Sequence, residues 1–480
     1  MGPLFFQGGI YNAGMHNDLL TITSALIKLQ EGKITARDLA KACLRQIERL
    51  NPKLNAFITV LDLESALDTQ LPATANPLTS ALRGIPIALK DLFDMAGVRR
   101  TIGSPFFSDF VPDTDAFVVE KLRQAGAIFV GKTNTHEIAL GVTGKNPHYG
   151  IARNPWDSLR IPGGSSSGSA IAVATGMALG ALGTDTGGSI RIPASLCGVV
   201  GFKPTYGRVS LRGVFPLSWN LDHVGPLTKS VRDAAIIMQV ISVHDPGDAA
   251  STKMINGDYL GHLLDDMNGK KIALGTGNYI QDAEPDVINA VREAATVFEA
   301  MGCIVKEVNM DWLRDAALAN KTMTQSDGAA VHRDRLREHP ELFGEDIRKR
   351  LEEGAKTSST DYILARRTQT EIKKKFEQFF ESYDLLLIPS TPIPAPPVEG
   401  LDAIEQAARL TRFTAPFNLA GLPALSIPCG FTKEGLPIGL QIVSRAWADS
   451  KVLNAGHAFE QATEWHRQVP ALAQDQFADL

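Results

Sequence analysis

The spacing of apolar residues predicts an amphipathic helix near the start of the chain. Apolar side chains recur at helical intervals after Thr35, as Leu39, Cys43, Leu44, Ile47 and Leu50. Thr35 is a suitable N-cap with Asp38 in the first turn, and Asn51–Pro52 is expected to end the helix. A similar pattern predicts a second helix over residues 285–301.

Continuous apolar runs predict buried strands. Two runs, at residues 85–89 and 385–388, have strand length and lack charged residues. Further elements are expected as strands over residues 127–130, 303–305, 424–431 and 438–444 and as a terminal helix around residues 453–463. No Gly/Ser-rich or charged linker divides the chain, so the sequence predicts one large domain.

Two glycine–serine clusters, at residues 163–168 and 187–189, flank a small, apolar segment at residues 170–182 that is expected to be buried. Paired glycines allow backbone conformations that a Cβ would forbid, so consecutive N–H groups could converge on one point. The groups concerned belong to Thr186, Gly187, Gly188 and Ser189. Acyl-transfer enzymes use such donors to hold an oxyanion, whereas a flexible loop is the alternative for either cluster alone.

Lys90 follows the apolar run at residues 85–89 directly. An ammonium group at the end of a buried strand is poorly solvated, and desolvation lowers the pKa of a lysine. Lys90 could therefore be neutral and able to accept a proton. A structural ion pair with Asp91 is the alternative.

These segments carry a resemblance to a known family. The two clusters, together with GIPIALKD at residues 84–91, resemble the amidase signature family of serine hydrolases. The similarity continues through GKTN, NPW, GFKPT and NLAGLPA, which begin at residues 131, 154, 201 and 418. It covers nearly the whole chain, from about residue 18 to about residue 470.

The resemblance implies a catalytic triad. Ser189 corresponds to the nucleophile, Ser165 to the bridging serine and Lys90 to the base, and the family pattern implies a cis peptide between Gly164 and Ser165. Neutral Lys90 would draw a proton through Ser165 while Ser189 attacks a carbonyl carbon and forms an acyl-enzyme. This chemistry requires neither a metal nor an organic cofactor.

The resemblance also implies supporting residues and a fold. Asp185 and Arg191 are expected to form an ion pair around the nucleophile loop, and Ser166 to hydrogen-bond within the site. The implied fold is a single α/β domain over residues 10–480, with an extended, mostly parallel mixed β-sheet covered by helices. Residues 1–9 resemble the remnant of a cleavable tag.

Family members act on many substrates, and the expectation here is a neutral amide, anilide or carbamate. Leu140 and Thr143 are expected to bind the substrate, within apolar walls formed by residues 138–143 and the proline-rich loop at residues 389–397. A glutamine-hydrolysing subunit of a tRNA-dependent amidotransferase is the main alternative. Such subunits place an aspartate for the glutamine amine where this sequence has Thr411. An allophanate or biuret hydrolase is a second alternative, and an inactive relative a third.

Charge and cysteine usage narrow the partners. The net charge of −5 offers no general attraction to nucleic acid or to an anionic membrane, so a small molecule is the expected partner. No apolar run reaches the length of a membrane span. Four cysteines, scattered singly among apolar neighbours, indicate reduced core residues of a cytoplasmic protein. A monomer or a homodimer is expected.

Three rival motifs are rejected. Residues 126–133 match the phosphate-loop pattern, but the intervening residues themselves form a predicted strand. His136–Glu137 lacks a second histidine at helical spacing and is not a zinc motif. The lysines at residues 373–375 lie among glutamates, which is typical of a solvated helix face rather than a nucleic-acid site.

Overall fold

The protein is described by a computed structural model covering residues 20–68, 81–253, 257–474 and 477. Residues 1–9, predicted to be a tag remnant, lie outside these ranges. The described strands are β1 Phe57–Val60, β2 Pro86–Lys90, β3 Ile128–Thr133, β4 Gly180–Asp185, β5 Val200–Lys203, β6 His223–Thr228, β7 Lys271–Thr276, β8 Ile304–Asn309, β9 Leu385–Pro389, β10 Ala424–Phe431 and β11 Pro437–Val443. These eleven strands form one sheet in the order β1-β3-β2-β4-β6-β5-β10-β11-β9-β7-β8.

The predicted α/β class and mixed sheet are confirmed, but the sheet is not mostly parallel. Four of its ten strand pairs are parallel: β2–β3, β2–β4, β7–β8 and β7–β9. The other six are antiparallel. A short connection between β10 and β11 forces an antiparallel hairpin, and this hairpin joins the two groups of strands at the centre of the sheet.

Sixteen α-helices cover the sheet within the described residues. They are α1 Ile22–Gln30, α2 Ala36–Leu54, α3 Leu63–Asp68, α4 Phe117–Gln124, α5 Ser167–Ala174, α6 Arg191–Cys197, α7 Val231–Ile241, α8 Asn278–Gln281, α9 Pro285–Ala300, α10 Leu313–Val331, α11 Arg333–Glu338, α12 Glu345–Lys356, α13 Ser359–Ser382, α14 Ala403–Leu410, α15 Ala415–Ala420 and α16 Asp449–Ala462. None of these helices combines the length and apolar character needed to span a bilayer.

Alternation along the strands divides the core into two layers. In β2, Ile87 and Leu89 belong to the larger apolar cluster, which includes residues of α4, α7, α9 and α16. Ala88, between them, belongs to a second cluster with residues of α2, α5 and α6. Because successive strand side chains point to opposite faces, helices protect both faces of β2.

Helix α2 confirms the predicted start but not the predicted end. The Thr35 and Asp38 side chains form a capping box at its N-terminus. The helix continues through Pro52 to Leu54, where Asn55 adopts a left-handed conformation with φ 52° and donates its N–H to Asn51 O at 2.8 Å. Pro52 therefore does not end the helix. In the last turn it removes a single N–H donor, and the helix continues for two more residues.

Most other predicted elements are present within a few residues of their expected ends. Strand β8 is longer than predicted. Its second half contains Lys306 and Glu307, so it lacks the apolar run from which the strand was predicted. All four cysteines are unpaired and buried, as expected. The rejected phosphate loop coincides with β3, whose Lys132 is fully buried, and residues 373–375 lie on α13.

Candidate active site

Strand β2 carries Lys90 into the interior of the protein. The strand is buried along its whole length, and the Lys90 side chain is fully buried at its end. Lys90 Nζ donates to Ser165 Oγ and to Thr184 Oγ1, both at 2.7 Å. Burial lowers the pKa of Lys90 to about 7, although the carboxylates of Asp222 and Asp185 act in the opposite direction. Near neutral pH a substantial fraction of this amine can therefore accept a proton.

Asp91 is not the partner of Lys90. Asp91 follows β2, and its Oδ1 lies 3.5 Å from Lys132 Nζ. Asp91 Oδ2 accepts hydrogen bonds from the N–H and the hydroxyl of Thr101. Asp91 therefore pairs with Lys132, and the alternative of an ion pair between Lys90 and Asp91 is wrong.

The segment preceding α5 presents Ser165 to Lys90. The Gly164–Ser165 peptide is cis, as the resemblance implied. The next residue connects the two serine clusters: Ser166 N donates to Ser189 O at 3.2 Å, and Ser166 Oγ donates to Thr184 O at 3.2 Å. Ser166 thus makes the hydrogen bonds within the site that were expected of it.

The second cluster forms a tight turn between β4 and α6. Gly188 has φ +138°, and a Cβ at this position would collide with Thr414 and lie 2.6 Å from Ile192 Cδ1. Only glycine fits such a turn without strain. The turn places Ser189 beside a cavity, with 5% of its surface exposed.

A buried ion pair fixes this turn from behind. Arg191 Nη2 lies 2.9 Å from Asp185 Oδ1, and both side chains are fully buried. Burial favours the neutral form of Asp185, but the guanidinium of Arg191 outweighs this effect and holds the pKa of Asp185 well below its usual range. The remaining Arg191 donors bind Thr414 O, Gln441 Oε1 and Asn418 Oδ1. The expected supporting pair is therefore part of a larger buried network.

The set of available backbone donors is smaller than the sequence predicted. Gly188, expected in the oxyanion hole, donates its N–H to Asp185 Oδ1 at 2.7 Å. Its N–H is therefore occupied, which corrects the expectation for this residue. The N–H groups of Thr186, Gly187 and Ser189 have no acceptor among the described residues. All three residues line the cavity beside Ser189.

The expected proton path from Ser189 through Ser165 to Lys90 needs two hydrogen bonds, and the structure contains one of them. Lys90 Nζ and Ser165 Oγ are hydrogen-bonded, whereas no hydrogen bond joins Ser165 Oγ to Ser189 Oγ in this structure. The two serine segments are adjacent, because Ser166 N–H donates to Ser189 O at 3.2 Å. Hydrogen bonds between catalytic groups are often long in unliganded enzymes and shorten when substrate binds.

The cavity at Ser189 has a volume of about 320 Å³. It is lined by residues 139–142, by Leu217 and by residues of α10, α12 and α14. Lys321 and Arg350 are its charged lining residues, and no carboxylate lines it within the described part of the chain. The cavity is therefore largely apolar with two cationic positions.

A family model described as Amidase matches residues 38–453. The chain belongs to the amidase signature family. It is accordingly a hydrolase of the amidase type that acts on C–N bonds.

Individual amidase signature proteins resemble the chain over nearly its whole length. A glutamyl-tRNA(Gln) amidotransferase subunit of Geobacter metallireducens is 39% identical, over 94% of this chain and 98% of its own. The crystal structure of the corresponding Thermotoga maritima subunit has a TM-score of 0.79 at 35% identity, covering 93% of this chain and 95% of its own. A 6-aminohexanoate cyclic dimer hydrolase, solved with its substrate, has a TM-score of 0.87 at 28% identity, covering 95% and 99%.

The two substrate-binding residues predicted for this amidase are placed differently. Leu140 lines the cavity. Thr143 is fully buried, with its hydroxyl 3.4 Å from His136 Nδ1, and does not reach the cavity. The proline-rich loop also lies behind the wall, because its residues Ile393 and Ala395 pack in a buried cluster rather than against the open space. The structure thus corrects two expectations, that Thr143 binds the substrate and that the proline-rich loop lines the cavity.

Several residues of the amidase site escaped sequence reasoning. Thr184 binds Lys90 directly, and its position shortly before the glycine pair was the only available signal. Asp222 is buried and accepts the Thr186 hydroxyl at 2.6 Å, but nothing in its neighbourhood marks it. Asn418 donates to Asp185 Oδ1 at 2.8 Å, and its segment was recognised without its role.

Proposed function

We propose that the protein is a freestanding amidase that hydrolyses a neutral amide, anilide or carbamate through an acyl-enzyme on Ser189. The observation that carries the proposal is the largely apolar cavity beside Ser189, free of carboxylates within the described residues, next to a buried lysine bonded to Ser165. The lowered pKa of Lys90, about 7, supports its role as the base.

The first half-reaction forms the acyl-enzyme. Neutral Lys90 takes the proton of Ser165 while Ser165 takes that of Ser189, and Ser189 Oγ bonds to the carbonyl carbon. The carbonyl oxygen becomes an anion held by the N–H groups of Thr186, Gly187 and Ser189. An essential donor of this kind contributes about 3 kcal/mol to transition-state stabilisation. The C–N bond then breaks, and the leaving amine takes a proton from Ser165, which Lys90 replaces.

The second half-reaction releases the acid. Water gives a proton to Ser165, and from there to Lys90, as its oxygen attacks the acyl carbon. The C–O bond to Ser189 breaks, and Ser189 recovers its proton through the same path. With a carbamate substrate, loss of the amine leaves a carbonate ester on Ser189, and its hydrolysis gives a carbonic half-ester that decomposes to an alcohol and carbon dioxide.

The cavity lining supports a substrate without an ammonium group. Free glutamine carries both a carboxylate and an ammonium ion. Its carboxylate could pair with Lys321 or Arg350, whereas Thr411 stands where a carboxylate would be needed for the ammonium. An unpaired charge in a partly buried site is costly.

Overall similarity favours a second candidate function, the glutamine-hydrolysing subunit of a tRNA-dependent amidotransferase. The 39% identity to the Geobacter metallireducens subunit supports it more strongly than any similarity supports a freestanding enzyme. Backbone superposition supports a freestanding enzyme instead, since the TM-score of the cyclic dimer hydrolase is higher than that of the Thermotoga maritima subunit. Thr411 and the missing carboxylate decide our preference for a freestanding hydrolase.

A substrate panel separates the two candidates. Purified protein is offered an aryl amide, an aryl carbamate, biuret and glutamine, and kcat/KM is measured for each. We expect turnover of the aryl amide or carbamate and none of glutamine. Release of ammonia from glutamine alone would favour the amidotransferase subunit, and turnover of biuret alone would favour the allophanate-type alternative.

Thr411→Asp tests the structural reason for this preference. The new carboxylate supplies the missing partner for an ammonium group, so kcat/KM for glutamine should rise relative to that for the aryl substrate. Thr411→Ser keeps the hydroxyl without adding charge and serves as the matched control. An unchanged preference in Thr411→Asp would show that Thr411 does not determine the substrate.

A further inference from the structure

Asp222 is a buried carboxylate adjacent to the site that the proposed mechanism does not use. It lies just before β6, with 7% of its surface exposed. Its Oδ1 accepts the Thr186 hydroxyl at 2.6 Å, and its Oδ2 accepts the N–H groups of Leu217 at 2.8 Å and Ser218 at 3.0 Å. Three donors therefore hold one carboxylate beneath the turn that carries Ser189.

We propose that Asp222 is a positioning residue, which aims the backbone donors of the Ser189 turn through Thr186 and stabilises the protonated form of Lys90 during the proton relay. The inference rests on the proposed function, because it assigns Asp222 a part in the reaction of Ser189. It adds a residue that lies outside the serine clusters and the lysine strand.

The first part of the inference follows from the geometry of one peptide group. Thr186 is held through its side chain by Asp222 and through its carbonyl by Asn320 Nδ2, at 3.1 Å. In a planar trans peptide the C=O and N–H groups point in opposite directions. Fixing Thr186 C=O towards Asn320 therefore aims Gly187 N–H the other way. Donors fixed in advance stabilise an oxyanion most strongly, because they need no reorganisation during the reaction.

The following peptide is fixed independently. The Thr414 hydroxyl donates to Gly187 O at 2.6 Å, and Gly188 N–H is bound by Asp185. The turn is consequently held by Asp222 and Asn320 at one end and by Thr414 and Asp185 at the other. Loss of the Asp222 contact frees only the first end, where the Thr186 and Gly187 donors lie.

The second part of the inference follows from charge. The two carboxylates that favour the ammonium form of Lys90 belong to Asp222 and Asp185. Asp185 is paired with Arg191, whereas Asp222 forms no ion pair within the described residues. Asp222 directly precedes β6, in which Val224 pairs with Thr184, the residue that accepts a hydrogen bond from Lys90 Nζ. The charge of Asp222 is therefore left to act on Lys90 from the strand next to Thr184. A positive charge develops on Lys90 when it takes the proton, so a nearby unpaired carboxylate stabilises that state.

The groups around Asp222 are few. Burial raises its pKa to about 6, while Thr186, the two N–H groups and Lys90 act in the opposite direction. On its other side Asp222 reaches a second cavity, of about 470 Å³, that Tyr206, Arg212 and Asp248 also line. Arg212 is bonded to Asp245 at 2.8 Å, so it does not neutralise Asp222.

Reaction with a fluorophosphonate across a pH series tests the proposal, because it reports on Ser189 without requiring the natural substrate. Asp222→Asn removes the charge, and Thr186→Val removes only the hydroxyl contact. We expect Asp222→Asn to lower the plateau rate about tenfold, as misplaced groups commonly do, and to move the acid limb to lower pH. Removing a negative charge makes the Lys90 ammonium less favourable, which gives this sign.

Thr186→Val is expected to lower the plateau rate with a smaller change in the midpoint, and Thr186→Ser, which retains the hydroxyl, to restore it. Circular dichroism and the melting temperature of each variant separate a change in reactivity from loss of folded protein. An unmoved pH midpoint in Asp222→Asn, or equal plateau rates in Thr186→Val and Thr186→Ser, would overturn the inference. Failure of the wild-type protein to react at Ser189 would instead reject the proposed function itself.

Discussion

At the scale of single residues, the site depends on removing one amine from water. Lys90 is fully buried, and it donates hydrogen bonds to the hydroxyls of Ser165 and Thr184. Burial outweighs the two nearby carboxylates and brings the pKa of Lys90 to about 7. The same burial that would make a charged lysine costly therefore makes a neutral one useful as a base.

The pH dependence of hydrolysis follows from this pKa. We expect kcat/KM for a non-ionisable aryl amide to rise with pH through about 7, because only neutral Lys90 accepts a proton. Lys90→Ala should remove most of the activity at every pH. A rate independent of pH between about 5 and 9, or full activity of Lys90→Ala, would contradict the assignment.

At this scale the sequence brought out the groups proposed to react, but only part of their surroundings. The apolar run before Lys90 and the two serine clusters were visible in the chain. Asp222, Asn320 and Thr414 were not, because each reaches the Ser189 turn from a distant part of the sequence. Single polar residues of this kind leave no periodic pattern.

At the scale of elements, the turn between β4 and α6 is the part that the rest of the site is built around. Arg191, the first residue of α6, reaches back to Asp185 at the end of β4 and outwards to Gln441 of β11 and Asn418 of α15. Four elements therefore meet at one guanidinium. A planar group with several fixed donors suits this junction better than an ammonium group would.

Replacing Arg191 should destabilise the fold as well as the site. Arg191→Met leaves the Asp185 carboxylate buried without its cation, which commonly costs about 3–5 kcal/mol. We expect the urea midpoint to fall substantially, and to fall less in Arg191→Lys. Arg367→Met, which breaks an exposed pair with Glu371 on α13, is the control and should unfold like the wild type. An unchanged midpoint in Arg191→Met would refute the structural role of the pair.

Elements with strong local signals were predictable, and those shaped by tertiary contacts were not. Capping at Thr35 and the apolar run of β2 gave correct positions. An apolar wall was expected at residues 138–143, and residues 139–142 line the cavity. Which side chains face it did not follow from the sequence, because Ile138 and Ala139 adopt positive φ angles of 46° and 60° that such residues rarely take. Tertiary packing imposes this conformation and decides that Leu140, and not Thr143, faces the cavity.

At the scale of the whole molecule, one sheet joins distant parts of the chain. Strands β10 and β11 come late in the sequence but lie between β5 and β9 in space. The turn between β4 and α6, with Arg191 behind it, also takes contacts from Thr414, Asn418 and Gln441. The family resemblance gave the α/β class, but strand order and direction depend on long-range pairing that local patterns do not encode.

Truncation tests this interdependence. A chain ending at residue 383 lacks β9, β10 and β11, so β5 loses a neighbour and Arg191 loses three partners. We expect this fragment to be unfolded or aggregated when examined by circular dichroism and size-exclusion chromatography. A soluble fragment with near-native helix content and a cooperative melt would show that the first 383 residues form an independent domain.

The central claim is that a buried, neutral Lys90 activates Ser189 through Ser165. The most direct measurement is the rate and position of covalent labelling by a fluorophosphonate, followed by mass spectrometry of the digested protein. We predict a single adduct on Ser189, absent in Ser189→Ala and formed far more slowly in Lys90→Ala and Ser165→Ala. An adduct on another residue, or wild-type labelling rates in Lys90→Ala, would contradict the account.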